Sequence, residues 1–280
     1  MSTTLLSARS VRFAWPGAAP LALPDLTVHP GERWLLEGPS GAGKSTLLQL
    51  LSGVLLADAG EVALLGRPWR EFGGAARDAR RADHIGLVFQ MFNLVPYLSA
   101  LANVLLPCRF SARRRARALQ RGATLDAEAQ RLLAALGLDD VRLVGRAADR
   151  LSVGQQQRVA AARALIGAPE LILADEPTSA LDEDNRRAFL DLLSAEAQAA
   201  GAAVVVVSHD AALRPWFERR LRLGEAGSGG HAGTSVHDPR PHPRPPPRAG
   251  EGENPLPCEA GEGRGGGGAP QGTDAARRAA

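Results

Sequence analysis

Gly38-Pro39-Ser40-Gly41-Ala42-Gly43-Lys44-Ser45-Thr46 matches the phosphate-binding loop pattern G-x-x-x-x-G-K-[ST] at every fixed position. Lys44 is the only lysine in the chain, which otherwise uses arginine for its cationic side chains. The exception marks a place where a planar guanidinium does not fit. A compact ammonium lies across adjacent phosphate oxygens as a point charge, whereas an arginine fork needs room that a tight glycine loop does not leave. The stretch therefore predicts a site for a nucleoside triphosphate.

The flanks agree with that reading. Arg33-Trp34-Leu35-Leu36-Glu37 is a short, mostly apolar run that reads as a buried strand, and Ser45 to Leu51 continues as a helix. In the order strand, glycine loop, helix, the backbone N–H groups of residues 41 to 46 converge on an anion at the helix N-terminus. The Ser45 hydroxyl is then placed to ligate Mg²⁺.

A second phosphate-handling element is Leu171-Ile172-Leu173-Ala174-Asp175-Glu176, an apolar run ending in two acids, with Pro169 before it and Pro177 after it. It reads as a buried parallel strand. Asp175 is expected to hold Mg²⁺ directly or through a ligand, and Glu176 to face the water that attacks the γ-phosphorus. Ala203-Val204-Val205-Val206-Val207 reads as a third buried strand and runs into Ser208-His209-Asp210. His209 then lies at the carboxyl end of a parallel sheet, where such sheets bind ligands, and is expected to contact the γ-phosphate.

Composition bounds the remainder. The chain has 280 residues, 45% of them hydrophobic, which suffices for a sizeable core. From Glu225 onward Gly, Pro, Ala and Arg dominate, and residues 225–280 are expected to be a disordered tail after a cassette spanning residues 1–224. A formal net charge of +3 does not point to nucleic acid, and two cysteines, Cys108 and Cys258, form no disulfide framework. No stretch approaches the roughly 18–20 apolar residues that cross a bilayer, and no leader-like segment opens the chain, so any membrane role is expected to come through a partner.

Leu151-Ser152-Val153-Gly154-Gln155-Gln156-Gln157-Arg158 opens a helix upstream of the second acidic strand. Together with the phosphate loop it resembles the signature L-S-G-G-Q of the ATP-binding-cassette (ABC) family, with Val153 departing from the usual glycine. The resemblance covers residues 5 to about 223. It implies that Trp15 stacks on adenine, that Gln90 in Gly86-Leu87-Val88-Phe89-Gln90 is a glutamine serving metal and catalysis, and that Glu176 and His209 complete the catalytic set. It also implies that residues 38–46 bind nucleotide, with Ser45, Gln90 and Asp175 at the metal. By the family pattern Ser152, Gly154 and Gln155 of one copy close on ATP held by a second copy, and Asp182 in Ser179-Ala180-Leu181-Asp182 lies at the crossing between the two sites. The expected cofactors are ATP and Mg²⁺. The expected partners are a second copy and an integral-membrane permease, at the cytoplasmic face of the inner membrane, with no nucleic acid.

The fold implied is an α/β P-loop NTPase of ABC type, with a mostly parallel core sheet, an antiparallel β subdomain and a helical subdomain at about residues 94–165. Leu5 to Trp15, Leu26 to Glu37 and Glu61 to Leu65 read as strands, and Ala127 to Leu136 as an amphipathic helix. The arginine run Arg113-Arg114-Arg115 with Arg117 reads chiefly as a solvated helix face or a connection; lipid headgroups and nucleic acid are its less favoured uses. The run from Val88 to Pro107 is similar to ATPase subunits of the lipoprotein-releasing and macrolide-efflux type, which implies export or extraction of a substrate. An importer ATPase would share every catalytic motif, and only the neighbourhood of Gln90 argues against it; a soluble ABC ATPase would normally carry two cassettes, a long coiled coil or zinc-binding cysteines, which this sequence does not display.

Overall fold

The computed structural model describes residues 4–224; the expectation for the tail falls outside the described residues. The chain opens with β1 (Leu6–Phe13), β2 (Leu21–Ala22) and β3 (Leu26–Val28), then β4 (Arg33–Glu37), α1 (Lys44–Leu51), β5 (Ala59–Leu64), β6 (Arg67–Pro68), α2 (Gly74–His84) and β7 (Ile85–Val88). Five helices follow, α3 (Ala100–Phe110), α4 (Ala112–Arg121), α5 (Leu125–Ala135), α6 (Val141–Val144) and α7 (Val153–Leu165). The chain then runs through β8 (Leu171–Asp175), α8 (Glu183–Ala200), β9 (Ala203–Ser208) and β10 (Arg219–Arg222).

The strands form two sheets. One is parallel, in the order β10-β4-β9-β8-β7, and the other is antiparallel, β2-β1-β5-β6 with β3 also on β1. The parallel strands are near-continuous apolar runs because both faces are covered. Leu35, Ile172, Ala174, Val204 and Val206 point into a core shared with α3, α5, α7 and α8. Their alternate neighbours Trp34, Leu36, Leu171, Leu173, Val205 and Val207 point into a second core with α1 and the antiparallel sheet.

The run Leu26 to Glu37, whose second half reads by itself as a buried strand, holds two strands in different sheets. His29-Pro30-Gly31-Glu32 turns between them, with Gly31 at φ +75° and Glu32 N–H donating to His29 O at 3.2 Å. Proline sets the first turn position and glycine accepts the left-handed second one.

The arginine run is a solvated face only in part: Arg113 and Arg115 are exposed, but Arg114 is not. Arg114 is buried and donates to the carbonyls of Ile166 (2.7 Å), Ala164 (2.6 Å), Arg163 (3.3 Å) and Ile85 (3.4 Å), joining the carboxyl end of α7 to the start of β7. Burial lowers its pKa to about 10. Arg113 and Arg117 pair with Glu170 at 2.6 and 2.9 Å. A helix end offers unpaired carbonyls, and the guanidinium fork satisfies several of them at once.

Candidate active site

The loop after β4 sets the site. Gly41 and Gly43 sit at φ +82° and +83°, and a Cβ on Gly43 would collide with the Leu21 side chain. Gly43 caps α1 without a side-chain hydrogen bond, so the first-turn N–H groups of the helix are left to bind an anion. Lys44 folds back over its own loop, its Nζ donating to Gly38 O at 2.9 Å and Pro39 O at 3.0 Å, and lies 4.0 Å from Glu176 Oε1.

Strands β8 and β9 deliver the acids. Glu176 leaves β8 with φ +46°, a costly conformation for a side-chain-bearing residue, and its N–H donates to Val207 O at 2.9 Å. Its carboxylate is buried and held by the neighbouring strand end: Ser208 Oγ donates to Oε2 at 2.8 Å, while His209 N and Nδ1 donate to Oε1 at 3.1 and 2.7 Å. A carboxylate has about four lone-pair positions, so capacity remains for a water proton.

Asp175 has its pKa raised, by burial first; the hydrogen bond from Ser45 and the charge of Lys44 oppose that shift, while Glu176 adds to it. Its Oδ1 is buried and has no hydrogen-bond partner. An orphan buried carboxylate oxygen beside a serine hydroxyl suits a hard divalent cation with oxygen ligands.

A cleft of 590 Å³ gathers these groups. Trp15, Ser40, Gly41, Gly43, Lys44, Ser45, Thr46, Gln90, Asp175, Glu176 and His209 all line it. Gly38 and Pro39 contribute the carbonyls that hold Lys44, and Ala42 packs behind the loop. The half-exposed Trp15 ring meets Phe13 edge-on with centroids 5.2 Å apart, and its Nε1 donates to Thr46 Oγ1 at 3.4 Å. Ala19, Pro20 and Leu21, which the motifs did not single out, close the same wall.

Ser152, Gly154, Gln155 and Asp182 do not line this cleft. Ser152 caps α7: its Oγ accepts from Gln155 N at 3.3 Å, and Gln155 Oε1 accepts from Ser152 N at 2.9 Å. Asp182 caps α8, accepting from Asn185 N at 2.9 Å and Nδ2 at 2.8 Å, and the Asn185 hydrogen bonds lower its pKa. Val153 is half exposed, and a Cβ at Gly154 would meet only Leu181 Cδ2 at 3.7 Å. Gln157, not foreseen, is fully buried and donates Nε2 to Pro177 O, tying α7 to the loop that carries Glu176.

The model of the family described as ABC transporter matches residues 22–179. The chain belongs to the ABC transporter family. It is 38% identical over 228 residues to the lipoprotein-releasing system ATP-binding protein LolD 2 of Rhodospirillum rubrum, covering 80% of this chain and 95% of that one. It is 37% identical over 227 residues to the macrolide export ATP-binding/permease protein MacB of Rhodopseudomonas palustris (strain HaA2), 80% of this chain but only 33% of the relative, so it spans a third of that protein's length. The cassette resembles the dimeric structure of MJ0796, a bacterial ABC transporter cassette, with TM-score 0.65 and 34% identity over 78% of this chain and 94% of that one. A post-hydrolysis dimer of MJ0796 bound to ADP and Pi gives a TM-score of 0.64. The cassette is thus an ABC ATPase, similar in sequence to those of lipoprotein-releasing and macrolide-export systems and built on the α/β P-loop fold with one parallel and one antiparallel sheet. Among the described residues no helix is long and apolar enough to cross a membrane.

Proposed function

We propose that this cassette hydrolyses ATP as a two-fold pair and drives an integral-membrane permease that exports or extracts a substrate, seated through that permease at the cytoplasmic face of the inner membrane. The observation carrying the proposal is the meeting of Lys44, Asp175, Glu176 and His209 in one cleft. Relatives named for lipoprotein release and macrolide export support the direction of transport.

In this reading Trp15 stacks on adenine, and the 38–46 loop with Lys44 cradles the phosphates, Lys44 exchanging its loop carbonyls for phosphate oxygens. Mg²⁺, held by Ser45, Asp175 and Gln90, would neutralise charge on the phosphates when bound. Glu176, fixed by Ser208 and His209, orients the attacking water and accepts its proton. His209 steadies that carboxylate and faces the γ-phosphate. From the second copy, Ser152 and the Gly154 amide close on the same phosphate, Gln155 holds Ser152 in place through the capping box, and Asp182 stands at the crossing.

Phosphate release by the purified chain tests the site. Slow hydrolysis is expected, with Lys44→Ala losing nucleotide binding; turnover by Lys44→Ala at the parent rate would remove the cleft from the reaction. Co-expression with an integral-membrane permease subunit from the same genome tests the partner. A detergent-stable complex with raised turnover is expected, and absence of any complex would count against the transport reading.

A further inference from the structure

Gln90 projects from a segment whose backbone is held by a side chain of the signature helix. β7 runs into Phe89 and Gln90, and the chain then turns through Phe92 and Asn93, two successive residues with side chains at φ +59° and +48°. Such conformations persist where surrounding contacts over-determine them. Local main-chain bonds, Phe92 N to Phe89 O at 2.9 Å and Asn93 N to Met91 O at 2.6 Å, shape the turn but do not tie it to the rest of the molecule.

Arg163 supplies that tie. From the last turn of α7 its Nη1 donates to Asn93 O at 2.6 Å and its Nη2 to Phe92 O at 2.5 Å. Among the described residues no carboxylate lies within ion-pair distance of this guanidinium, so a partly buried charge is spent on two main-chain carbonyls. Burial lowers its pKa accordingly. The platform beneath it is tied by hydrogen bonds and close packing. Arg114 fastens the carbonyls of Arg163, Ala164 and Ile166 to that of Ile85 at the start of β7. At Gly86 a Cβ would collide with Ala164 O, so α7 and β7 touch backbone to backbone. The far end of the segment is pinned separately by buried Asn103, which accepts from Val95 N at 2.8 Å and donates to Val95 O at 3.1 Å.

We infer that Arg163 is a positioning residue for Gln90: its two-carbonyl clamp on Phe92 and Asn93 holds the Gln90 segment to the helix that begins at Ser152. The clamp sets where Gln90 stands in the cleft without touching nucleotide. This inference rests on the reading of the cleft as the ATP site.

The test is a double-substitution cycle with an independent structural arm. Arg163→Ala is expected to keep ATP affinity within about twofold and to lower kcat roughly ten- to a hundredfold, the scale of a small misplacement at a reacting centre. Gln90→Ala is expected to lower kcat similarly, and the double variant to fall no further, because the arginine acts through the glutamine. A double variant that loses the product of the two single factors, or Arg163→Ala at the parent kcat, overturns the inference. Arg163→Lys, which keeps charge and stem but cannot span both carbonyls, serves if the alanine variant fails to fold; it is expected to show a smaller loss with the same lack of additivity. Amide hydrogen exchange without nucleotide is the second arm. Exchange in residues 89–95 is expected to quicken in Arg163→Ala while α1 is unchanged, and unchanged exchange in 89–95 overturns the clamp. If the parent chain bound no ATP, the cleft reading would fail by itself, and the exchange arm would still decide whether Arg163 holds the segment.

Discussion

The cleft and the signature segment both lie at helix N-termini, yet they are finished differently. In the cleft, α1 has no side-chain cap, Asp175 keeps a buried oxygen without a partner, and Glu176 is held in a strained backbone conformation. At the signature, Ser152 and Gln155 satisfy each other in a capping box and the neighbouring Val153 is half exposed. One region leaves a buried polar atom without a protein partner, whereas the helix end at the other is capped by its own side chains. In the proposed function one chain supplies the phosphate cradle and the water-activating carboxylate, and the signature, which does not line that cleft, meets its phosphate on another copy. In the cleft, backbone strain at Glu176 and an unpaired buried oxygen on Asp175 coincide with groups that a ligand can relieve, whereas the solvent-facing end of α7 is closed by its own residues.

The largest test of that contrast acts on the cleft. Glu176→Gln is expected to bind ATP and lose about 10²–10³-fold in single-turnover hydrolysis, since it keeps the shape but cannot take the proton. Parent-rate turnover would break the assignment of the carboxylate. Next is the scaffold at the carboxyl end of the signature helix. Arg114→Met is expected to cost on the order of 3 kcal/mol or more in urea unfolding, because several buried carbonyls lose their donor together. A loss near zero would mean that the carboxyl end of α7 is held by packing alone.

Ser152→Ala sharpens the comparison directly. In the Glu176→Gln background it is expected to leave ATP binding by one copy intact and to weaken ATP-driven pairing by on the order of 1.5–3 kcal/mol per site, read by sedimentation velocity. Equal pairing of both proteins would show that the hydroxyl serves only its helix cap. The smallest effect is a pH slope. Burial pushes Glu170 up, but hydrogen bonds from His84 and Arg113 outweigh it and hold the pKa at about 2, below its ordinary 4.5. A depressed carboxyl pKa gives stability that is present above pH 4.5 and lost as pH falls toward 2. Thermal unfolding of the parent is expected to soften across that window more steeply than that of Glu170→Gln; parallel curves would show that the cluster joining α2, α4 and the approach to β8 carries no such stability.

Much of this molecule was legible in order and little in position. The strands β4, β8 and β9 stood out because both faces are buried, which writes a continuous apolar run. β10 did not, since Arg219-Arg220-Leu221-Arg222 is an edge strand that buries Leu221 while Arg219 reaches Glu32. The split of Leu26 to Glu37 was signalled by Pro30-Gly31, a turn that assigns no sheet. Ser208 was visible only as the residue before His209, and its bond to Glu176 appears once β8 and β9 lie side by side.

By itself the sequence determined the chemistry: a glycine loop with one lysine, two acids after an apolar run, a histidine after another, and a serine-led helix. These are local patterns, set by the few residue types that tolerate a left-handed turn or bind a phosphate. The tertiary structure alone decided which of them meet. It gathered Trp15, Lys44, Gln90, Asp175, Glu176 and His209 in one cleft, kept Ser152 and Asp182 out of it, and turned an arginine run into the staple of α7. Such meetings depend on strand order and on carbonyls left over at helix ends, quantities that exist only after distant segments have packed.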